Sequence, residues 1–185
     1  MKLSKFQDLT KRYPDERVQI FIDGANFYKA LESERGGDVG IDYGKFASDL
    51  VGGRKLVRTN IYISTLKPEY ESPDSIKKQD TFIYALQGTP FITVRKRPLR
   101  YKGKKRDREK GIDILCATDM LSQAYVNGYD SMILVSGDGD FAPVLDEIKK
   151  MGKRVENAFF KEIRSEALRQ TCDVFISLDP KKLPK

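Results

Sequence analysis

Histidine is missing from all 185 residues, tryptophan is missing too, and cysteine occurs twice. Without imidazole there is no Ser-His-Asp or Cys-His catalysis and no metal site built on histidine. Cys116 and Cys172 do not form a CxxC pair, so neither a structural zinc site nor a disulfide framework is expected. No run of about 18 apolar residues occurs, and no membrane-spanning helix is expected. The first residues, MKLSKFQDLTKRYPDER, lack the apolar core of a secretory signal, which makes a cytoplasmic location the expectation. There is no GxGxxG or GxxxxGK[ST] phosphate loop, which disfavours nucleotide-cofactor enzymes. Chemistry in this chain must rest on carboxylates, lysines, hydroxyls or a metal held by oxygen.

What is present is charge, with basic groups in excess. Apolar residues make up 39% of the chain and the net charge is +7, a composition suited to one folded domain that meets polyanions. The basicity is local. Residues 95–110, RKRPLRYKGKKRDREK, carry ten basic and two acidic groups, a net of +8, so the remainder is close to neutral.

Apolar runs alternate with helical patterns. Strands are predicted over 18–22, 57–64, 89–94, 131–135, 154–159 and 174–177. Helices are predicted over 26–34, 43–51 (with Asp42 as N-cap), 75–86 (stopped by Gly88), 112–126, 141–151 (closed by Gly152) and 165–170. Strands such as VQIFI and SMILV are continuously apolar, as strands covered on both faces must be. The fold class is therefore α/β, a three-layer α/β/α sandwich around a mostly parallel sheet. Its organisation reads as an N-terminal extension (1–16), one domain (17–178) with a basic insert (95–110), and a basic tail (179–185). Ligands of such sheets bind beyond the carboxyl ends of the strands.

Two strand ends there carry acids. The first strand runs into Asp23-Gly24-Ala25-Asn26, and a later one into Ser136-Gly137-Asp138-Gly139-Asp140. Asn26 and Asp140 each precede an apolar helix and suit N-caps or turns. Asp23 and Asp138 lie directly against buried strands and are harder to assign to turn chemistry alone. A third acid comes from the helix over 112–126. With Asp113 set at 0°, Cys116, Ala117, Met120, Leu121 and Ala124 fall between about 300° and 80°. Asp113 thus opens the face that packs on the sheet, while Asp119, at about 240°, points elsewhere and ranks below it.

Carboxylates converging without histidine or thiolate make a hard-oxygen site suited to Mg²⁺ or Mn²⁺, ions that clamp phosphoryl oxygens and activate water. A haloacid-dehalogenase-type phosphatase needs Asp-x-Asp at the end of the first strand, and Phe21 breaks it. A MIDAS-type site needs Asp-x-Ser-x-Ser, and Ala25 breaks that.

In the basic stretch, Arg95, Lys96, Arg97, Arg100, Lys102, Lys104, Lys105, Arg106, Arg108 and Lys110 are candidate phosphate contacts. Tyr101 is a candidate stacking partner for a base. Pro98, Leu99, Tyr101 and Gly103 suggest a β-hairpin or extended arm, although many charge runs are solvated loops and nothing more. Phosphate contacts carry little sequence information.

FIDGANFYKAL, KGIDILCATDML and ILVSGDGDFAPVLDEIKKMGKRVE together resemble the NYN domain family of the PIN-like nuclease superfamily, in particular its LabA-like branch. The likeness spans about residues 17–178. It implies a PIN-like sandwich and a divalent-metal site for RNA cleavage. Carried over by position, the metal-binding and catalytic acids are Asp23, Asp113 and Asp138. Asn26, Asp119 and Asp140 match further motif positions, and Ser136 is placed to orient the acids by hydrogen bonding. Self-association is common among PIN-like domains, so a homodimer is one expected partner beside RNA. A protein that supplies target specificity is another. Three functions follow in order: a metal-dependent ribonuclease, a non-catalytic RNA- or protein-binding module, and a phosphatase acting on small molecules.

Overall fold

The computed structural model describes residues 13–102, 105–106 and 111–185. In chain order the strands are β1 (Arg17–Asp23), β2 (Lys55–Thr65), β3 (Ile92–Pro98), β4 (Tyr101–Lys102), β5 (Lys105–Arg106), β6 (Ser131–Val135), β7 (Arg154–Phe160) and β8 (Val174–Leu178). The helices are α1 (Gly24–Glu34), α2 (Tyr43–Val51), α3 (Pro73–Gln87), α4 (Ile112–Tyr125), α5 (Ala142–Lys150) and α6 (Glu166–Thr171).

Six strands form one sheet in the order β3-β2-β1-β6-β7-β8, and every pairing in it is parallel. The chain steps outward from β1 to β3, returns through α4 to lay β6 beside β1, and steps outward the other way. Right-handed crossovers then put successive helices on opposite faces of the two halves. Phe27, Phe46 and Ile83 of α1, α2 and α3 join Val18, Ile20 and Ile22 on one face. Cys116, Leu145 and Leu168 of α4, α5 and α6 join Phe21, Met132 and Leu134 on the other. Alternate β1 side chains therefore serve opposite cores, as the pleat requires. The Phe27 ring stacks between Phe46 and Phe160, with centroids 5.4 and 5.8 Å away.

One strand departs from expectation. The sequence predicts strand over 89–94, but β3 starts at Ile92 and runs on through Arg95–Lys96–Arg97. Thr89 and Ile92 are held in turns by hydrogen bonds to Leu86 and Thr89, and Phe91 has a positive φ of 61°. Beyond that turn, pairing with β2 from Thr59 to Thr65 carries the strand into the basic run. The run thus begins as a sheet edge, where Lys96, Arg97 and Pro98 also discourage further strand pairing. β4 and β5 then pair antiparallel as a small hairpin.

At the amino edge of the sheet sits a buried charge network. Arg54 donates through both terminal nitrogens to Glu156, at 2.7 and 3.0 Å, with both side chains almost wholly buried. Glu16 lies 3.7 Å from Arg54 and accepts the Ser131 hydroxyl. The last residues are docked as well. Arg35 donates to the carbonyls of Pro180 and Leu183, Asp42 N–H donates to that of Pro184, and Leu183 is buried. No described helix is long and apolar enough to cross a membrane.

Candidate metal centre and nucleic-acid interface

Where the strand order reverses, the helices following β1 and β6 leave on opposite faces, the place where sheets of this class bind ligands beyond the carboxyl ends of the strands. Asp23 is the last residue of β1, and Ser136 follows the last residue of β6. Asp23 is 5% exposed. Its Oδ2 accepts the Ser136 hydroxyl at 3.1 Å, and its Oδ1 accepts the Asn26 N–H at 3.1 Å. The Ser136 Oγ in turn accepts the Asp138 N–H at 3.0 Å. Asn26 Oδ1 accepts the Gly137 N–H at 2.8 Å, a second tie between the two strand ends.

The local sequence explains this closeness. A Cβ on Gly24 would stand 2.5 Å from the Tyr62 carbonyl oxygen, so only glycine lets α1 start hard against β2. From the β7 side, Asn157 donates to the carbonyls of Leu134 and Ser136 at 3.1 and 2.9 Å, fixing the loop that carries Asp138. Asn157 does not stand out in the sequence, because in VENAFF it reads as one more strand residue.

Capping falls on other residues than those expected. Asn26 and Asp140 are the natural N-cap candidates by sequence, but the caps are Asp23 for α1 and Asp138 for the 3₁₀ turn Gly139–Phe141. Asp138 Oδ1 accepts the Asp140 N–H at 3.0 Å, and Asp140 itself is exposed. The reason is geometric. β1 runs straight into α1 and a three-residue link joins β6 to its helical turn, and in each case the last extended residue before the turn supplies the cap.

Asp113 lies in the first turn of α4, half-buried, after Gly111, whose φ of 122° suits glycine. Burial pushes the Cys116 thiol up, and the negative charges of Asp23, Asp113 and Asp119 add to that effect. Asp119 is engaged further: it accepts the Tyr62 hydroxyl at 3.0 Å and both Arg95 Nε and Nη2, at 2.8 and 3.1 Å. Burial raises the Tyr62 phenol beyond its ordinary range, helped by the neighbouring Cys116 and Asp119. Arg95, a candidate phosphate contact, is committed to this internal pair.

The donor set is all hard oxygen, which fits a divalent cation such as Mg²⁺ or Mn²⁺. Among the described residues, no three acidic or thiol groups close round one ion.

Of the remaining candidates, Lys96, Arg97 and Arg100 are exposed. Lys102, Lys105 and Arg106 are described by the β4–β5 backbone, and Lys104, Arg108 and Lys110 lie outside the described residues. Tyr101 does not present an open ring. It stacks on Tyr70 with centroids 4.3 Å apart, and its hydroxyl donates to Glu71 Oε1 at 2.9 Å. Tyr70, five residues beyond the end of β2, carries no local sequence signal that would have marked it.

The NYN domain model matches residues 17–179. A solved structure of a protein of unknown function from Vibrio parahaemolyticus superposes with a TM-score of 0.72 at 24% identity, covering 92% of this chain and 97% of that one. That likeness speaks for the fold. No curated protein matches the chain. NYN domains fall in the PIN-like nuclease superfamily, whose members typically cleave nucleic acids with the help of divalent metal ions. With the family match over nearly the whole sheet and both acid-bearing strand ends, the chain belongs to the NYN domain family.

Proposed function

We propose that this protein is a metal-dependent ribonuclease whose catalytic acids are Asp23, Asp113 and Asp138. The observation that carries the reading is the Ser136 hydroxyl, which accepts from the Asp138 backbone and donates to the Asp23 carboxylate. One buried side chain thereby ties the Asp23 carboxylate at the end of β1 to the backbone of Asp138 in the loop after β6. Asp23 and Asp138 are fixed before substrate arrives, by a hydroxyl and by backbone N–H groups. Preorganised groups of this sort need no rearrangement during the reaction.

Asp23, Asp113 and Asp138 would hold a Mg²⁺ or Mn²⁺ ion, which would supply an activated water and offset charge building on the phosphodiester. The chain does the rest. Asp113 brings a further carboxylate from α4, Lys96, Arg97 and Arg100 draw the phosphate backbone to the carboxyl ends of the strands, and Asn26 keeps the β6 loop in place. RNA is the substrate under this reading.

A second reading has its own support. Asp119 is already neutralised by Arg95, and no three described acids close round one ion, as fits a module that grips RNA without cutting it. The two readings part in one experiment. Mixed labelled RNAs are incubated with Mn²⁺, with Mg²⁺ or with EDTA, using wild type and Asp138→Asn. Cutting by the wild type alone, and only with metal, supports the nuclease. Binding at low salt with no cutting by either protein supports the module.

A further inference from the structure

We propose that Tyr70 is a stacking platform for an unpaired base of bound RNA; the inference rests on the ribonuclease reading above. Tyr70 lies in the segment between β2 and α3, and Tyr101 lies in β4, three residues past the end of β3. Both strands are parallel to β1, so both residues stand at the same sheet edge as Asp23. Tyr62 is the register partner of Asp23, and β2 runs three residues further to Thr65. At roughly 3.3 Å per residue, the segment bearing Tyr70 starts about 10 Å beyond the carboxylate.

The two rings lie 17° from parallel. Tyr101 is pinned at its far end: its hydroxyl donates to Glu71 and accepts from the Lys67 N–H. It therefore backs one face of Tyr70 and holds that ring at a fixed angle. Tyr70 is nevertheless 46% exposed.

Charge selects which part of a nucleotide can settle there. Glu69 and Glu71 flank Tyr70 in sequence, and their carboxylates repel phosphate from the immediate surroundings. The exposed cations Lys96, Arg97 and Arg100 lie along the neighbouring strand and its end. Phosphates follow the cations while a base, which is neutral and has a π-face, meets the ring. A base inside a duplex has both faces covered by its neighbours, so only a splayed, unpaired base can stack on a protein aromatic.

The test uses the full chain with Asp138→Asn as parent, to prevent cleavage, and RNA carrying 2-aminopurine either single-stranded or in a blunt duplex. The expected result is quenching of 2-aminopurine by the parent on the single strand. Tyr70→Ala should abolish the quenching and weaken single-strand binding about tenfold, with an unchanged salt slope, because phosphate contacts are untouched. Tyr70→Phe should keep both affinity and quenching. Tyr70→Leu, which keeps apolar bulk without a π-face, should behave like Tyr70→Ala and serves if the smaller side chain unsettles the fold. If the parent binds RNA and both Tyr70→Ala and Tyr70→Leu bind it equally well, this inference alone is overturned. A parent that binds neither RNA form overturns the ribonuclease reading along with it.

Discussion

The Ser136 hydroxyl and the Asp23 carboxylate meet across 3.1 Å although 113 residues separate them in the chain. The same oxygen accepts the Asp138 N–H, so a single buried serine holds the ends of β1 and β6 in register. Ser136→Ala deletes the donor to Asp23 and the acceptor for Asp138 at once. A hydrogen bond to a charged group contributes about 1.5–3 kcal/mol. Urea unfolding of Ser136→Ala should show a loss of about that size. Metal-dependent cleavage should fall further than the residual folded fraction explains, because the two acids lose their shared anchor.

The exposed cations of β3 and its end make a separate prediction. Replacing Lys96, Arg97 and Arg100 together by glutamine should flatten the dependence of RNA affinity on salt. The log–log slope is expected to drop by about 0.7 for each single-strand phosphate that the protein no longer neutralises. Arg95→Gln should change that slope little, since its guanidinium is committed to Asp119. Anisotropy titrations across a salt series separate the two cases. Equal slope changes would show that the Arg95–Asp119 pair opens to receive RNA.

At the other edge of the sheet, Arg54 and Glu156 form a buried pair almost sealed from solvent. Removing one charge leaves the other buried beside its remaining neighbours, a change that costs about 3–5 kcal/mol. Glu156→Leu and Arg54→Met should each destabilise by roughly that amount. The double substitution Arg54→Met with Glu156→Leu should cost clearly less than their sum. A double-mutant cycle in urea reads the coupling. Additive losses would mean that Glu16 and Arg154, both close by, take over the pairing.

Stability should also report on Asp130. The hydrogen bond from the Arg17 guanidinium holds its carboxyl below the usual carboxylate value, against a smaller opposing effect of burial. Because the folded value is depressed, this contribution is present in full above the unfolded value of about 3.9 and is lost as pH falls through the folded one. Asp130→Asn removes that dependence. Between about pH 6 and about pH 3 the variant should therefore lose less of its urea midpoint than wild type does.

Much of this architecture was legible in the chain. VQIFI and SMILV are apolar throughout, and the strands they form are buried on both faces. The angular position of Asp113 beside Cys116, Met120 and Ala124 follows from helix periodicity, and those three residues are buried on α4. The hairpin suggested by the residues around Gly103 appears as β4 and β5. Less legible was the true start of β3, since an apolar Pro-Phe-Ile run looks like strand while a turn at Thr89–Ile92 delays it.

The sequence by itself determined the local terms: which runs are strand or helix, which faces are apolar, and that oxygen ligands alone are on offer. Those follow from periodicity and residue chemistry within a few positions of each other. Only the tertiary structure decided that β6 lies beside β1, that Ser136 reaches Asp23, that Arg95 neutralises Asp119, and that Tyr101 is spent on Tyr70. Each of these joins residues brought together by crossovers through the sheet. The handedness of those crossovers and the register of parallel strands leave no mark on the residues themselves until the chain has folded.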